Sequence, residues 1–419
     1  MERAIFINGT DIPLNGTTNE EVMFMSSMEV NVGGFKMKNP LMIASGPISS
    51  KLEHLKEAEE NGFAAVSLKH TMAWQKFEAK PRWFFDSKIG VIVSGDPRLE
   101  PEYALDLIRK AKEQTELKIA VNLSGIPNQV ESWGELSHMM EQAGADAIEL
   151  NFNCPNLLTA DAKTKAVLGA NLGADPDSCR TVVAAVKQAV KIPVIAKLNT
   201  ESGKLMPVSK AVAEAGADIL NVHASYRSAP GLDIYHGGKM LYPGSEKGNF
   251  GAISGPWSKR ASDRFICDVY RSNTGKAVIG GSGLYTWRDV VETIMYGASA
   301  VQMCVPVMQK GFGIGKEILD GLGRFMDECG YRSIDEMVGL ATKYVCAPGE
   351  MDYGDITALV DETSCVGCRQ CMPIAHCDAI TYDSAAKKCA VDEDLCVGCG
   401  FCRGVCPKDA ITYVLKKGK

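Results

Sequence analysis

Short apolar runs alternate with helical patterns along most of the chain, and no other feature of the sequence restricts the fold as much. Near-continuous apolar strands separated by helices indicate a parallel sheet that is buried on both faces. Eight such units in about 290 residues fit the size of a (β/α)8 TIM barrel, and a doubly wound sheet is the alternative. The predicted strands are Leu41–Ala44, Ala64–Lys69, Lys118–Leu123, Ala147–Phe152, Val194–Leu198, Ile219–Val222, Ala277–Gly280 and Ala300–Cys304. The predicted helices are Pro101–Glu113, Trp133–Ala143, Ser178–Val190, Pro207–Ala215, Trp257–Arg271 and Trp287–Tyr296.

Charge and hydropathy exclude several classes of protein. The chain has 419 residues and a net charge of −6, which argues against nucleic-acid binding. No stretch approaches about 18 uninterrupted apolar residues, so we expect no membrane span. The first 24 residues lack the apolar core of a signal peptide. We therefore expect a cytoplasmic protein, in which clustered cysteines are metal ligands rather than disulfides.

The sequence predicts four segments: an N-terminal arm (1–27), the barrel (28–345), a linker (346–359) and a C-terminal domain (360–419). Ahead of the first barrel strand, Met28–Val32 and Phe35–Met37 flank Gly33-Gly34. Two short strands around such a pair indicate a β-hairpin. We expect this hairpin to plug the bottom of the barrel.

Polar side chains follow the predicted strands where each strand ends, and a TIM barrel carries its active site at that edge. Taken singly, each of these residues is more typical of a turn, a cap or the surface. Together they favour a binding site, because amides both donate and accept and so suit a planar heterocycle. Glycines after the seventh strand, and a Ser-Gly-Pro run before a helix, can present backbone N–H groups to a phosphate. The sequence therefore predicts a bound flavin mononucleotide (FMN). The residues concerned are Lys69, Asn122, Asn151, Lys197, Asn221, Ser254, Gly255, Gly280 and Gly281.

Cys154 follows the fourth predicted strand and is the candidate proton donor. Reduction of an activated C=C bond needs a hydride on one carbon and a proton on the other. Flavin N5 would supply the hydride from one face, and a thiol on the other face is a suitable acid near neutral pH. The alternative is that Cys154 is a small buried apolar residue. The loop after it, Leu157–Gly173, is rich in Ala, Gly and Lys, and we expect a mobile lid.

The run Asn151-x-x-Cys154-Pro155-Asn156, together with Ser45-Gly46, Lys69, Lys197, Asn221 and Gly280-Gly281, resembles the dihydroorotate and dihydropyrimidine dehydrogenases, which are FMN-containing barrels. The resemblance covers about residues 28–345 and implies that Cys154 is the acid–base residue. It implies an FMN site formed by Ala44, Ser45, Gly46, Lys69, Asn122, Asn151, Lys197, Asn221, Ser254, Gly255, Gly280, Gly281 and Cys304. It implies a substrate site formed by Asn122, Asn151, Asn156, Asn221 and Val222.

Two positions distinguish the chain from the pyrimidine reducers of this family. These enzymes carry a hydroxyl residue after the sixth-strand asparagine, where this chain has Val222. They usually carry histidine after Cys-Pro, where this chain has Asn156, as in the dihydroorotate enzymes. The substrate therefore stays open between uracil or thymine and dihydroorotate.

The C-terminal segment contains nine of the 15 cysteines. Two runs of Cys-x-x-Cys-x-x-Cys are typical of two-cluster ferredoxins, in which the fourth cysteine of each run binds the other cluster. The segment around Cys377–Tyr382 is repeated at Lys408–Tyr413. We therefore predict an α+β ferredoxin-like domain with two [4Fe–4S] clusters. The predicted ligands are Cys365, Cys368, Cys371 and Cys406 for one cluster, and Cys396, Cys399, Cys402 and Cys377 for the other.

The first run is irregular, because five residues separate Cys371 from Cys377 where about three are usual. Cys389 is the alternative ligand in place of Cys377. Zinc is the alternative metal, since Cys-x-x-Cys pairs also form tetrahedral thiolate sites.

A flavin and two clusters in one chain form an electron route to a substrate. No Gly-x-Gly-x-x-Gly turn follows a strand, so any nicotinamide must bind to another protein. The arrangement resembles the bacterial NAD-dependent dihydropyrimidine dehydrogenases. We expect an oxidoreductase that reduces the C=C bond of a pyrimidine-like cyclic amide. Its expected partner is a subunit that binds NAD(P)H and FAD, or a ferredoxin, in a homo- or hetero-oligomer. The alternatives are oxidation of dihydroorotate and an electron-transfer module without turnover.

Overall fold

The computed structural model describes residues 26–72, 80–126, 128–155, 169–223, 226–351 and 353–416. These residues form two compact units, 26–345 and 346–416. The predicted arm lies almost entirely outside the described residues. None of the helices in the described ranges has the length and hydrophobicity that a membrane span requires.

The strands of the first unit are β1 (Val30–Val32), β2 (Phe35–Met37), β3 (Leu41–Ile43), β4 (Ala65–Met72), β5 (Trp83–Asp86), β6 (Gly90–Val93), β7 (Lys118–Ser124), β8 (Ala147–Asn151), β9 (Val194–Leu198), β10 (Ile219–His223), β11 (Tyr226–Ser228), β12 (Leu232–Asp233), β13 (Lys239–Met240), β14 (Gly251–Ser254), β15 (Ala277–Gly281) and β16 (Ala300–Met303). Its helices are α1 (Leu52–Glu60), α2 (Pro101–Gln114), α3 (Glu131–Gln142), α4 (Gly169–Leu172), α5 (Pro176–Ala189), α6 (Leu205–Glu214), α7 (Ser258–Arg271), α8 (Trp287–Met295), α9 (Val305–Lys310) and α10 (Ile314–Cys329).

Eight parallel strands close into a barrel in the order β3-β4-β7-β8-β9-β10-β15-β16. All eight coincide with predicted strands, so the TIM barrel is confirmed and the doubly wound alternative is wrong. The six predicted helices are present within two residues at each end. The sequence analysis missed α10, although Ile314, Ile318, Leu322 and Met326 repeat at helical spacing on its buried face. Gly315 and Gly321 lie among them, and glycine lowers helix propensity. Gly321 is required there, since a Cβ would lie 2.2 Å from Trp287.

The predicted hairpin is formed by β1 and β2, which pair antiparallel with Val32 opposite Phe35. Its turn lies against the start of β10, because a Cβ on Gly33 would lie 2.6 Å from the carbonyl oxygen of Asp218. The amino ends of the strands form the bottom of the barrel, so the hairpin lies there as expected.

A second, antiparallel sheet was not anticipated. It has the order β11-β14-β6-β5 and is formed by two insertions, after β4 and after β10. Its small core contains Ile92, Tyr242 and Ile253. The segment 227–249, for which the sequence indicates no purpose, belongs to this sheet and to the β12–β13 hairpin.

The second unit contains β17 (Ile356–Val360), β18 (Ile380–Asp383), β19 (Lys388–Val391), α11 (Phe401–Gly404) and β20 (Ile411–Leu415). β17 pairs with β20 and β18 with β19, so β17 begins inside the predicted linker. Both Cys-Val-Gly-Cys runs turn at a glycine of positive φ, +65° at Gly367 and +67° at Gly398. The internal repeat in the sequence is therefore also a repeat in the backbone.

Candidate active site

A cleft opens at the carboxyl end of the barrel strands and encloses about 850 Å³, including space open to solvent. β6 and β14 of the antiparallel sheet supply Val93, Ala252 and Ser254 to its wall. Nine predicted site residues line the cleft: Ala44, Ser45, Gly46, Lys69, Asn151, Cys154, Lys197, Ser254 and Cys304.

Lys69 and His70 are adjacent in β4, yet both side chains line the cleft. Successive residues of a regular strand point to opposite faces. The pairing of β4 with β7 shifts register between Leu68 and Thr71, and such a bulge redirects side chains. Burial first, and then the charge of Arg98, lowers the pKa of His70 well below its ordinary value. His70 is therefore neutral at physiological pH.

Asp96 and Arg98, in the loop after β6, form a buried charge network with Lys69. The Asp96 carboxylate pairs with both cations. Burial alone would raise the pKa of Asp96, but the charges of Lys69 and Arg98 together lower it. Nothing in the local sequence distinguishes this Asp-Pro-Arg run from a surface turn, so the sequence analysis missed both residues.

Cys154 is partly buried, and its Sγ accepts a hydrogen bond of 3.3 Å from Nη2 of Arg98. Its backbone N–H donates to Oδ1 of Asn151 over 2.9 Å. The sulfur therefore faces the cleft beside a guanidinium, rather than lying in the apolar core. Asn156 and most of the predicted lid lie outside the described residues.

Asn122 and Asn221 lie deeper in the barrel, beneath the lining of the cleft. Both donate to Glu149, over 2.7 and 2.8 Å. Val222 is fully buried and does not line the cleft, because the alternation along β10 turns it away from Asn221. His223 lines the cleft instead, and burial lowers its pKa to about 3.

The predicted phosphate end lies where two loops meet at the start of α7. Oγ of Ser258 is 2.6 Å from Oγ of Ser282, in the loop after β15. Gly255 and Gly281 lie close to other backbone, since a Cβ on either would be 2.7 Å or less from a carbonyl oxygen. Gly280 instead packs on α7 and α8, where a Cβ would be 2.7 Å from Ile266.

Cys304 borders the cleft beside Gly46, where a Cβ would lie 2.4 Å from its sulfur. Burial raises the pKa of the Cys304 thiol to about 11, so it is protonated at neutral pH and acts as an uncharged wall.

The residues of the cleft fit FMN. Oδ1 of Asn221, and Nδ1 of His70 and of His223, are buried and have no hydrogen-bond partner among the described residues. A flat ring with N–H and C=O groups would give such atoms partners. Lys69 and Lys197 supply cations to the cleft. At the start of α7, by contrast, the N–H groups of Ser258 and Lys259 already donate to the carbonyl oxygens of Gly255 and Pro256.

In the C-terminal unit, the cysteines surround two separate cavities. One is lined by Cys365, Cys368, Cys371, Cys389 and Cys406. The other is lined by Cys377, Cys396, Cys399 and Cys402. Cys406 therefore lies with the first run and Cys377 with the second, which is the arrangement that the predicted exchange of fourth cysteines requires. Cys389, the alternative to Cys377, lies at the first cavity and not at the second.

No three cysteine, histidine or acidic side chains in the described ranges are close enough together to hold a single metal ion. The thiols instead stand around the walls of the two cavities.

Residues 27–326 match the family model "Dihydroorotate dehydrogenase". The chain belongs to the dihydroorotate dehydrogenase family. Residues 390–412 match the model "4Fe-4S binding domain". Membership of this family and the 4Fe–4S motif make the chain a flavoprotein oxidoreductase that acts on CH–CH bonds, and both confirm the corresponding predictions.

Three relatives are similar in sequence to this dihydroorotate dehydrogenase family member over most of its length. It is 34% identical over 320 residues to the catalytic subunit of dihydroorotate dehydrogenase B (NAD(+)) of Pyrococcus abyssi, covering 75% of this chain and 99% of the relative. It is 32% identical over 323 residues to the corresponding subunit of Thermoplasma volcanium, covering 76% and 100%. It is 26% identical over 359 residues to the NAD-dependent dihydropyrimidine dehydrogenase subunit PreA of Escherichia coli K12, covering 83% and 85%.

Proposed function

We propose that this chain reduces the C=C bond of a pyrimidine-like cyclic amide, uracil or thymine, with Cys154 as the proton donor. The observation that carries the proposal is the position of the Cys154 sulfur. It lines the same cleft as Lys69, Asn151 and Lys197, so a thiol and the residues proposed to hold the flavin enclose one reaction space.

Each residue of the cleft has a role that follows from its contacts. Asn151 fixes the backbone of Cys154, and Arg98 holds its sulfur. Lys197 lines the cleft, and its Nζ lies 3.4 Å from the Glu149 carboxylate. Bound FMN would supply the hydride, and the proton would leave the Cys154 sulfur for the other carbon of the substrate bond. A neutral His223 and a neutral His70 can hydrogen-bond to a ligand without adding charge.

Two clusters supported by the two cysteine-lined cavities would carry single electrons to the flavin. The proposed ligands are Cys365, Cys368, Cys371 and Cys406 at one cavity, and Cys377, Cys396, Cys399 and Cys402 at the other. The printed names of the relatives include NAD, so we propose a partner subunit that binds NAD(P)H. The purified chain alone should then fail to oxidise NADH, and rapid NADH oxidation by it alone would contradict a separate partner.

Oxidation of dihydroorotate is the second candidate function. The buried guanidinium of Arg98 lines the cleft and could receive a substrate carboxylate, and two of the relatives are dihydroorotate dehydrogenases by name.

One experiment separates the candidates. The flavin of the purified holoenzyme is reduced anaerobically and mixed with uracil, thymine or orotate, and its reoxidation is followed by absorbance. Reoxidation by uracil or thymine supports the first proposal, and reoxidation by orotate alone supports the second. If no pyrimidine reoxidises the flavin, both are wrong and an electron-transfer module remains.

Cys154→Ala tests the proton donor directly. We expect turnover to fall by about a hundredfold or more, the usual contribution of a positioned general acid, while FMN and iron contents stay at the wild-type level. Steady-state kinetics and cofactor analysis measure both. Unchanged turnover would eliminate Cys154 as the donor.

A further inference from the structure

Glu149 is a fully buried carboxylate in the middle of the barrel, and the roles described so far do not require it. It lies in β8 two residues before Asn151, on the same inward face of the strand. The side chains that donate hydrogen bonds to it come from five different barrel strands: Ser67 at 2.8 Å, Asn122 at 2.7 Å, Lys197 at 3.4 Å, Asn221 at 2.8 Å and Gln302 at 2.6 Å.

The charge of Glu149 determines how its neighbours are oriented. Burial alone would raise the pKa of Glu149, but Lys197 and the hydrogen-bond donors lower it, so the group is ionised. An ionised carboxylate only accepts hydrogen bonds. Asn122 and Asn221 must therefore turn their amide N–H groups toward Glu149 and their oxygens away from it.

From Asn122 the orientation passes along a chain of hydrogen bonds to Cys154. Oδ1 of Asn122 accepts from Nδ2 of Asn151 over 2.8 Å. That bond leaves Oδ1 of Asn151 to accept the backbone N–H groups of Asn153, at 3.2 Å, and of Cys154, at 2.9 Å. The amides of Asn122 and Asn151 each have one possible orientation, because the nitrogen of each donates a hydrogen bond and the oxygen of each accepts one.

On the other side of the carboxylate, Asn221 donates both to Glu149 and to Oε1 of Gln302, at 2.9 Å. Its own Oδ1 is buried and has no partner in the described part of the chain. The same carboxylate thus leaves an oriented acceptor beneath the cleft, suited to an N–H group of a bound ring.

We propose that Glu149 is a positioning residue that orients the amides of Asn122, Asn151 and Asn221, and through them holds the backbone of Cys154 in place. The role of Cys154 in turnover rests on the proposed function, but its position does not. A merely structural buried carboxylate would affect folding and not the reactivity of a cysteine at the end of this chain.

The test compares three variants of the holoenzyme. Glu149→Gln puts an amide N–H group where Ser67, Asn122, Asn221 and Gln302 all donate. The neighbouring amides are then no longer forced to turn their N–H groups toward position 149. Asn122→Asp breaks the next link, because it puts two acceptors face to face while Glu149 and Lys197 stay intact. Ser67→Ala is the matched control, since Ser67 donates to the same carboxylate oxygen as Asn122 but lies outside the chain to Cys154.

Two readouts are measured: kcat and KM with the pyrimidine that reoxidises the flavin, and the rate at which iodoacetamide alkylates Cys154, followed by mass spectrometry of its peptide. We expect Glu149→Gln and Asn122→Asp to lower kcat about tenfold or more, the equivalent of roughly one lost hydrogen bond. Both variants should change the alkylation rate at least about fivefold, and Ser67→Ala should stay within about twofold of the wild type.

The proposal is overturned if Cys154 of FMN-loaded Glu149→Gln is alkylated at the wild-type rate. It is also overturned if Ser67→Ala changes the alkylation rate of Cys154 as much as Asn122→Asp does. If Glu149→Gln does not fold, the comparison of Asn122→Asp with Ser67→Ala decides. Alkylation needs no substrate, so a wild-type enzyme that reduces no pyrimidine would refute the proposed function and leave this test valid.

Discussion

At the scale of single residues, the cleft brings together charges that are distant in the sequence. Arg98 bonds to Asp96 in its own loop and to Cys154 on another element, and Asp96 also pairs with Lys69. A buried charge left without its partner is costly. The charges of Lys69, Asp96 and Arg98 therefore depend on one another. The sulfur of Cys154 is hydrogen-bonded to Arg98, the last member of this network.

Arg98→Gln should lower turnover about tenfold while FMN content is retained, because the Cys154 sulfur loses its donor and Asp96 keeps only Lys69. Steady-state kinetics and flavin absorbance measure the two effects. Arg82→Gln is the control, since Arg82 lies in the same insertion and, among the residues that the structure describes, donates only to the carbonyl oxygen of Pro81. Turnover of Arg98→Gln within twofold of the wild type would contradict the role of Arg98.

At the scale of elements, three turns depend on a glycine at a defined position. The hairpin at the bottom of the barrel depends on a close approach at Gly33, and the two cysteine runs depend on turns at Gly367 and Gly398. Each of these glycines adopts a positive φ, which other residues reach only at a cost.

Gly33→Ala should lower the free energy of unfolding of the barrel by roughly 1–3 kcal/mol, because the added Cβ meets the Asp218 carbonyl in a strained conformation. Gly34→Ala is the matched control. Gly34 also has a positive φ, but within the described ranges its Cβ would meet only Pro193, at 3.5 Å. Denaturation of both FMN-loaded variants measures the difference, and equal losses would show that the close approach is unimportant.

Cys377→Ser should remove about half of the iron from the reconstituted protein, since Cys377 lines the second cavity with Cys396, Cys399 and Cys402 and a [4Fe–4S] cluster needs four thiolates. Cys389→Ser should retain all of the iron, because the four predicted ligands of the first cavity remain. Iron analysis and the EPR spectra of the reduced clusters distinguish the variants. Loss of a cluster from Cys389→Ser alone would reverse the assignment.

At the scale of the whole molecule, stability depends on two neutral histidines buried in the barrel. The folded-state pKa values of His70 and His223 are depressed by burial, that of His223 to about 3. In the unfolded chain both titrate near their ordinary value of about 6.5. As pH falls below that value, the two histidines bind protons in the unfolded chain but stay neutral in the folded chain. The free energy of unfolding therefore decreases.

The free energy of unfolding should therefore decrease between pH 7 and pH 5.5, by at most about 1.4 kcal/mol per pH unit for each of the two histidines. His223→Asn should reduce this slope. His138→Gln is the control and should keep it, since the His138 side chain is about half exposed. Denaturant titrations at several pH values measure the slopes, and equal slopes for the wild type and His223→Asn would exclude this origin.

The sequence by itself determined the barrel, its strands and most of its helices, and the two cysteine runs. It also placed nine site residues that the cleft contains. The strands, helices and cysteine runs depend on short-range patterns, either the burial of consecutive residues or the spacing of ligands within a few positions. Several of the nine predicted site residues, such as Gly46 and Cys304, were assigned only through the resemblance to the dehydrogenases. The position of Glu149, two residues before Asn151 on one strand face, was readable in the same way and was missed.

Only the tertiary structure decided which charged and hydrogen-bonding side chains meet. Arg98 reaches Cys154 across 56 positions, and Gln302 reaches Glu149 across 153. The bulge in β4 turned His70 into the cleft, and the packing of the second unit placed Cys389 at the first cavity. These outcomes depend on contacts between distant segments, which no local pattern of residues encodes, because burial, charge and hydrogen bonding there are set by neighbours that only the folded chain brings together.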